Sequence, residues 1–574
     1  MSLEQGMTYG SGFPDTELDP LLAKLDPEQR IAATSLLGPT CIVAGAGTGK
    51  TRTITHRIAY GISKGCYSSN RVLALTYTTK AAAELRARLR ALGVGAVAAR
   101  TFHAAALSQL EYFWPQFTGV RAPQVMEGKA RLIARLADEQ KIKIDQAALR
   151  DIAAEIEWRK YSMLSVDKYA ELKRKPPAGL SQPKFLELIE AYEAAKIASN
   201  QIDWEDVLLL CLGMLKSEPV ALAHVHQQFR FFTVDEYQDI SPLQQALLEV
   251  WLGNRSDLCV VGDPNQTIYS FTGATSNYLQ TFGARYPDAT QIELTRNYRS
   301  TKEIINLANR LRSSKSPMGD SGLSPLEAQG GSGLAPRLQG FESPRDEAAY
   351  AAHRIRGLLA DGVKPKQIAI LYRVNGQSET LEAALANSQI PYELKGGLRF
   401  FARPEIQAAM RAINGELISR TDKPAHRLVE EICRELGWSL RQPADASAAA
   451  REKWESLSAL LAMFDEMPRG TTLDDFFKEL QERARSQHEP ESAAITLATI
   501  HAAKGQEWDH VFIIGVNEGY LPITYAKSET EIAEENRLLY VAVTRAKKTL
   551  NLSWNSTPSR FIKLLSQSAP QPEN

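Results

Sequence analysis

The sequence predicts an α/β protein with mostly parallel sheets, interrupted by two helical stretches. Three observations lead there. An apolar run, Cys41-Ile42-Val43, feeds a Gly-rich turn, Ala44-Gly45-Ala46-Gly47-Thr48-Gly49-Lys50-Thr51, and the turn feeds a helical pattern. Short apolar runs then recur along the chain, several of them followed at once by a helix signal, the alternation that builds parallel sheets. Between these runs lie long segments with apolar residues at three- and four-residue spacings.

Composition limits the function. The chain has 574 residues, 67 basic and 67 acidic, so its formal net charge is zero. That argues against coating nucleic acid by bulk charge, though not against a local basic groove. No apolar run approaches the roughly 20 residues of a membrane span. The first twenty residues lack the basic and apolar regions of a signal peptide. The five cysteines are scattered, with no Cys-x-x-Cys pair, so neither a disulfide framework nor a zinc site is supported. A cytoplasmic, soluble protein is expected, with no membrane partner.

In chain order, Asp26-Pro27 reads as an N-cap and first helical residue, followed by Gln29. An exposed Gln there is ordinarily just solvated; shortly before a phosphate loop, its amide could read adenine. In the loop, Gly45, Gly47 and Gly49 let backbone N–H groups close around phosphate oxygens at a helix N-terminus. Lys50 would reach the β- and γ-phosphates, and the Thr51 hydroxyl would ligate Mg²⁺. Arg71 to Tyr77 reads as a buried strand running into a helix start at Thr78. Ala98 to His103 has a similar look. Aromatic and hydroxyl residues at such ends could stack a base or hold phosphate, but each alone is more often core packing.

From Ala104 to Gln227 the pattern is helical and locally basic; a solvated face is the default reading of Lys129, Arg131, Arg135, Lys141, Lys143, Arg159 and Lys160, and none of them stands out. The strand Phe231 to Val234 ends in Asp235-Glu236. Opposite the phosphate loop, Asp235 would hold Mg²⁺ through water and Glu236 would orient the attacking water. The strand Leu258 to Val261 ends in a turn carrying Gln266, able to sense a γ-phosphate, with Tyr269 and Phe271 a few residues on. After a strand at Ile292 to Leu294, the segment Ser313 to Leu338 reads as a long loop. A second α/β unit follows: strands at Gln367–Tyr372 and Val511–Gly515, a turn at Gly396–Phe401, polar helices with an Ala/Pro-rich break near Gln442–Ala450, a helix opened at Glu534, and Leu550–Trp554 closing the sheet.

These motifs, in this order, resemble the superfamily 1 helicases of the UvrD/Rep/PcrA type, from about Leu25 to Phe561. The segments Ala99–Ala106 and Tyr269–Ala274 and the short second helical stretch look most like the shorter, second UvrD-like branch of actinobacteria. The resemblance implies two RecA-like P-loop domains, at 21–103 with 201–300 and at 301–408 with 492–565. Helical insertions would span 104–200 and 409–491, with loose ends at 1–20 and 566–574. It implies ATP as substrate, with Mg²⁺, in the cleft between the domains. Gln29 would read adenine, Arg52 and Tyr298 would sandwich it, and Glu507 would reach the ribose. Arg299 and Arg545 would be arginine fingers beside Glu236 and Gln266. A single-strand DNA track would use Tyr77, Thr101, Phe102, His103, Tyr269, Phe271 and His501, with 3′ to 5′ polarity.

The partners implied are single-stranded DNA, single/double-strand junctions and repair proteins, for a chain expected to be monomeric. Phe271 and Thr272 stand where the family usually has Trp and Arg, and Thr79 where it has Asn. The second insertion is about half the usual size. The chain ends at Asn574 without the HRDC and four-cysteine modules common in such relatives. The leading expectation is a DNA-dependent ATPase and 3′–5′ helicase of repair or replication. The alternatives are a translocase that strips proteins from single strands and, less favoured, a helicase–nuclease subunit or an ATP-gated clamp.

Overall fold

The computed structural model describes residues 19–566 except 145, 313–322, 396–400, 402, 420–422, 441–447, 466, 469, 487–493 and 525. The two expected loose ends, the turn at Gly396–Phe401, the break near Gln442 and the first part of the long loop lie wholly or mainly outside those residues.

Two six-stranded sheets organise the chain. The first contains β1 (Thr40–Ala44), β2 (Val72–Thr76), β3 (Ala98–Thr101), β4 (Phe231–Val234), β5 (Leu258–Gly262) and β6 (Thr290–Leu294). Its order is β3-β2-β4-β5-β1-β6, and every pairing is parallel. The second contains β7 (Arg337–Gly340), β8 (Ile368–Tyr372), β9 (Tyr392–Lys395), β10 (Ile495–Thr499), β11 (Trp508–Ile513) and β12 (Ala546–Trp554). Its order is β7-β12-β11-β8-β10-β9, again all parallel. The molecule is thus a mixed α/β protein with the two large parallel sheets of paired RecA-like domains.

Parallel strands need crossovers, and the crossovers cover both faces with helices, so inner strands read as unbroken apolar runs. All five residues of β2 and of β8 are buried. Side chains alternate between faces. Leu73 and Leu75 join Phe102, Leu110, Leu243 and Trp251 on one side of the first sheet. Val72 and Ala74 join Ile54, Ile58 and Leu85 on the other. In the second sheet, Ala369 and Leu371 face one cluster, while Ile368, Ile370 and Tyr372 face another.

Five helices matter below: α1 (Pro27–Thr34), α2 (Lys50–Ser63), α3 (Phe102–Thr118), α4 (Trp204–Ser217) and α5 (Glu529–Val543). The helices at 129–139, 146–161 and 182–198 gather round a core of their own, with Ile133, Ile156, Phe185 and Leu188. Those between 404 and 486 gather round Ile406, Val429, Leu457 and Phe476. By contrast α3 and α4 share the core of the first sheet, through Leu110 and Val207 among others. Among the described residues no single helix is long and apolar enough to cross a membrane. The bent pair formed by α4 and Pro219–Gln228 has the length and composition but turns by 106°, and most of its apolar residues, Val207, Leu208, Leu215 and Val225 among them, lie in that same core.

One edge of the second sheet differs from the sequence expectation. The strand ending at Trp554 does not close the second sheet; it runs from Ala546 and lies between β11 and β7. The edge is β7, in and just beyond what reads as loop. Its sequence, Arg-Leu-Gln-Gly, is half-exposed or exposed throughout, so it carries no apolar run to announce it.

Candidate active site

The phosphate loop joins β1 to α2, and α2 begins at Lys50. Gly47 and Gly49 have φ of +70° and +83°, a region that side chains rarely tolerate. A Cβ on Gly47 would also collide with the Asn297 amide. That amide donates to Ala46 O at 2.6 Å, and Tyr298 N donates to Gly47 O at 2.9 Å, so the segment after β6 lies on the loop. Lys50 Nζ donates to Ala44 O at 3.1 Å and Gly45 O at 3.4 Å, over its own loop.

Gln29 is buried, not solvated. Its backbone N–H donates to Asp26 Oδ1 at 2.7 Å and its Oε1 accepts from Asp26 N at 3.3 Å, the reciprocal cap that starts α1. Its Nε2 then donates to Thr48 O at 2.9 Å. Tyr298 Oη donates to Asp26 Oδ2 at 2.7 Å, and Arg52 donates to Lys24 O. Gln29, Arg52 and Tyr298 therefore meet around one turn at the loop's rim.

Asp235 and Glu236 follow β4. Glu236 has φ +54°, unusual for a residue with a side chain, and its N–H donates to Asp235 Oδ1 at 3.0 Å. Such backbone costs about 1–3 kcal/mol and persists only where surroundings hold it. Gln238 is the holder: its Nε2 donates to Glu236 Oε2 at 2.5 Å and Asp239 Oδ2 at 3.1 Å, and its Oε1 accepts from Asp263 N at 3.0 Å. Asp263 Oδ2 accepts from Gln266 Nε2 at 2.8 Å. Burial, then the adjacent Glu236, pushes Asp235 up to about 7. Burial pushes the same way at Glu236, but Lys50, Lys504 and the Gln238 hydrogen bond outweigh it and hold this carboxyl below its ordinary value. The Thr51 hydroxyl and the desolvated Asp235 carboxylate are hard oxygen donors that suit Mg²⁺.

Arg545 crosses to this cluster from the second sheet. Its Nε donates to Val541 O at 2.9 Å, and its Nη2 reaches Gln266 Oε1 at 3.4 Å. Burial and the neighbouring Arg299 lower it to about 9. Arg299 Nη1 donates to Thr544 O at 3.1 Å, and its Nε pairs with Glu507 Oε2 at 2.6 Å. Glu507 also pairs with Lys547 at 2.7 Å.

The aromatic residues divide into two groups. Tyr77 and Tyr269 stack at 5.3 Å with 12° between their planes, and Tyr77 is 41 % exposed. Tyr269 Oη donates to His501 O at 3.2 Å, and Lys504 Nζ lies 5.0 Å from the Tyr269 ring. Lys504 also donates to Gln266 O at 2.6 Å and pairs with Asp239. In the second group His103 meets Tyr161 and Trp204 edge-on, at 6.2 and 5.9 Å. Thr101 caps α3, its hydroxyl accepting from Ala104 N at 3.1 Å. Phe102 is not on a surface: it is 4 % exposed and stacks on Trp251 inside the first core. Phe271 lies in the turn Ser270–Thr272, and its side chain is outside the described residues.

Comparison with known proteins is decisive on family. Residues 25–287 match the UvrD/REP helicase N-terminal domain, and residues 292–449 and 426–557 match the UvrD-like helicase C-terminal domain. The chain belongs to the UvrD/REP helicase family. It is 41 % identical over 577 residues to the ATP-dependent DNA helicase UvrD2 of Mycobacterium tuberculosis and of Mycobacterium bovis, covering 95 % of this chain and 82 % of each relative. The ATP-dependent DNA helicase PcrA of Leuconostoc citreum is 29 % identical over 642 residues, covering 94 % and 85 %.

Two features of this UvrD/REP helicase escaped sequence reasoning. Trp204, the first residue of α4, is 47 % exposed beside His103. The signal was present: Asp203 and Asp206 form a reciprocal cap, which leaves the aromatic between them on the outer turn. Below it, Lys160 pairs with Asp203 at 2.6 Å and Asp206 at 2.7 Å, and Lys196 pairs with Glu193 at 2.7 Å and Asp203 at 3.2 Å. Lys129 pairs with Glu205 at 2.6 Å and Glu157 at 2.8 Å. The solvated-face expectation for Lys129, Arg159 and Lys160 is thus overturned. Lys160 is 2 % exposed and Arg159 Nη2 pairs with Glu193 at 2.9 Å; the carboxylates that compensate them come from other helices.

Proposed function

We propose that this ATP-dependent DNA helicase of the UvrD/REP family translocates 3′ to 5′ along single-stranded DNA, in repair or replication. Its substrate would be chromosomal DNA, single strands and their junctions with duplex, and its place of action the cytoplasm. Gln266 is the observation that carries the reading. The Gln266 side chain links Arg545 to the hydrogen-bond chain ending at Glu236, while the Gln266 backbone carbonyl accepts from Lys504, beneath the stacked Tyr269. Nucleotide chemistry and strand stacking are therefore separated by one loop.

In this reading the loop N–H groups cradle the phosphates and Lys50 exchanges Ala44 O and Gly45 O for phosphate oxygens. Gln29 reads adenine, and Arg52 and Tyr298 flank the ring. Mg²⁺ held by Thr51 and Asp235 would neutralise charge on the transferring group. Glu236, kept ionised by Lys50 and Lys504, orients the attacking water and accepts its proton. Arg545 is poised, whereas Arg299 must leave Glu507 to reach phosphate, freeing Glu507 for the ribose. A finger of this kind is worth roughly 10³–10⁵ in rate. Hydrolysis is thus conditional on closure of the cleft.

DNA bases stack along Tyr77, Tyr269, Phe271, His501 and, on the other side, His103 and Trp204, with Thr101 near the backbone. Each base–aromatic stack contributes about 1–3 kcal/mol without sequence preference. Phe102 supports this surface from beneath. The test is steady-state ATP hydrolysis with and without single-stranded DNA, followed by displacement of a strand from 3′-tailed and 5′-tailed duplexes. Stimulation with displacement from the 3′-tailed substrate alone is expected. Stimulation without displacement would favour the protein-stripping translocase, and no stimulation would rule out coupling through Gln266.

A further inference from the structure

One face of α5 runs along the loop that carries Gln266. Four residues on it or just past its end reach that loop from the opposite sheet. Tyr540 Oη donates to Asp263 Oδ2 at 3.4 Å, and Arg545 Nη2 donates to Gln266 Oε1 at 3.4 Å. Arg537 Nε donates to Thr267 O at 3.0 Å. Glu534 engages Ser270 twice: Oε1 accepts from Ser270 N at 3.2 Å and Oε2 accepts from the Ser270 hydroxyl. Glu534, Arg537 and Tyr540, three apart, lie on one side of the helix, and Arg545 follows just past its end. The two ends of the contact differ in chemistry. Arg545 is among the groups proposed to touch the transferring phosphate, while Glu534 holds the turn Ser270–Thr272, immediately after Tyr269.

We propose that Glu534 is a positioning residue, which through Ser270 makes α5 a rail carrying the closure of the nucleotide cleft to the base-stacking turn. This rests on the helicase reading above. The physical reason is stiffness. A helix moves as a rigid unit, so when Arg545 is drawn toward phosphate the same helix draws Glu534. A two-point grip on backbone N–H and hydroxyl fixes both position and rotation of the turn, which a single hydrogen bond would not. The contacts of Glu534 are to Ser270 rather than to the groups expected at the nucleotide, so its removal leaves the chemistry in place and loosens only its link to DNA.

The experiment compares the whole chain with its Glu534→Ala, Glu534→Gln and Ser270→Ala variants in ATP hydrolysis with and without single-stranded DNA. In Glu534→Ala the basal rate stays at the parent value, and stimulation by DNA falls about fivefold, the rate equivalent of one partly exposed hydrogen bond to a charged group. Ser270→Ala gives a smaller loss, because its backbone N–H remains, and combining the two adds nothing to Glu534→Ala. Glu534→Gln keeps an acceptor for Ser270 N and recovers part of the stimulation. Full stimulation in Glu534→Ala would overturn the rail alone. So would an equal fall of the basal and stimulated rates, which marks a merely structural contact. Absence of stimulation in the parent chain would bring down the helicase reading and the rail together.

Discussion

Glu236 combines a left-handed backbone, a buried carboxyl group and a titration that Lys50 and Lys504 hold below its ordinary value, so that it stays ionised. These belong together. Burial strengthens the interaction with each nearby charge, and Gln238 holds the carboxylate of the bent residue. Replacing it with Gln keeps the shape and the Gln238 contact but removes the proposed proton acceptor. ATP turnover is expected to fall about 10²–10⁴-fold, the usual worth of a general base, with nucleotide binding retained in an equilibrium titration. His103 makes a different prediction. Burial, then Lys129, lowers its folded value to about 4 from an ordinary 6.5. Between those values the unfolded chain binds more protons than the folded one, so stability is lost as pH falls through that window. In urea unfolding, His103→Asn should lose less stability than the parent between about pH 7 and about pH 5.

The helices gathered round Ile133 and Phe185 show how secondary elements are fastened. Helices 146–161 and 182–198 and α4 bring Lys160, Lys196, Glu193, Asp203 and Asp206 into one buried lattice. The same Asp203 caps α4 and so orients Trp204. Removing one cation leaves carboxylates buried without compensation. Lys160→Met is expected to destabilise by about 3–5 kcal/mol in denaturant unfolding, far more than an exposed pair such as Lys478–Asp474 could. A smaller loss would mean that water or Lys196 alone satisfies Asp203. By contrast β7 is an edge held by pairing to β12, and its exposed Arg337 and Gln339 should tolerate polar exchange, whereas a Cβ at Gly340 would meet the Trp554 ring.

Across the whole molecule, the two sheets meet around the loop that carries Gln266, where Ala46 and Ile268 join the apolar core of the second sheet and polar contacts flank them: Lys504 with Asp239 and Gln266 O, Arg545 with Gln266, and Glu534 with Ser270. Groups of this kind exchange partners more readily than an apolar seam opens. A ligand that bridges both halves should therefore stabilise more than one held by a single half. Single-stranded DNA together with a non-hydrolysable ATP analogue is expected to raise the thermal midpoint beyond the sum of the separate shifts. Simple additivity would argue against closure. DNA affinity itself should fall steeply with salt, since phosphate contacts release counterions.

Much of this molecule is legible in its amino-acid order. The strand–Gly-loop–helix at Ala44–Thr51, the acidic end of β4 and the apolar runs of β2, β5 and β8 are local signals: the residues that show the pattern also form the element. The reciprocal cap at Asp26 and Gln29 is local too, and so is Pro27 at the helix start. Phe102, Trp204, Lys160, Glu507 and β7 are not, because their state depends on partners far along the chain. Phe102 is buried by Trp251, Glu507 is engaged by Arg299, and Glu534 faces Ser270 across 264 positions. Sequence determined which chemistry this protein carries, since phosphate, metal and base recognition each need particular side chains at short spacings. Only the tertiary structure decided which of those groups are already in contact, because burial and charge compensation arise where distant segments meet.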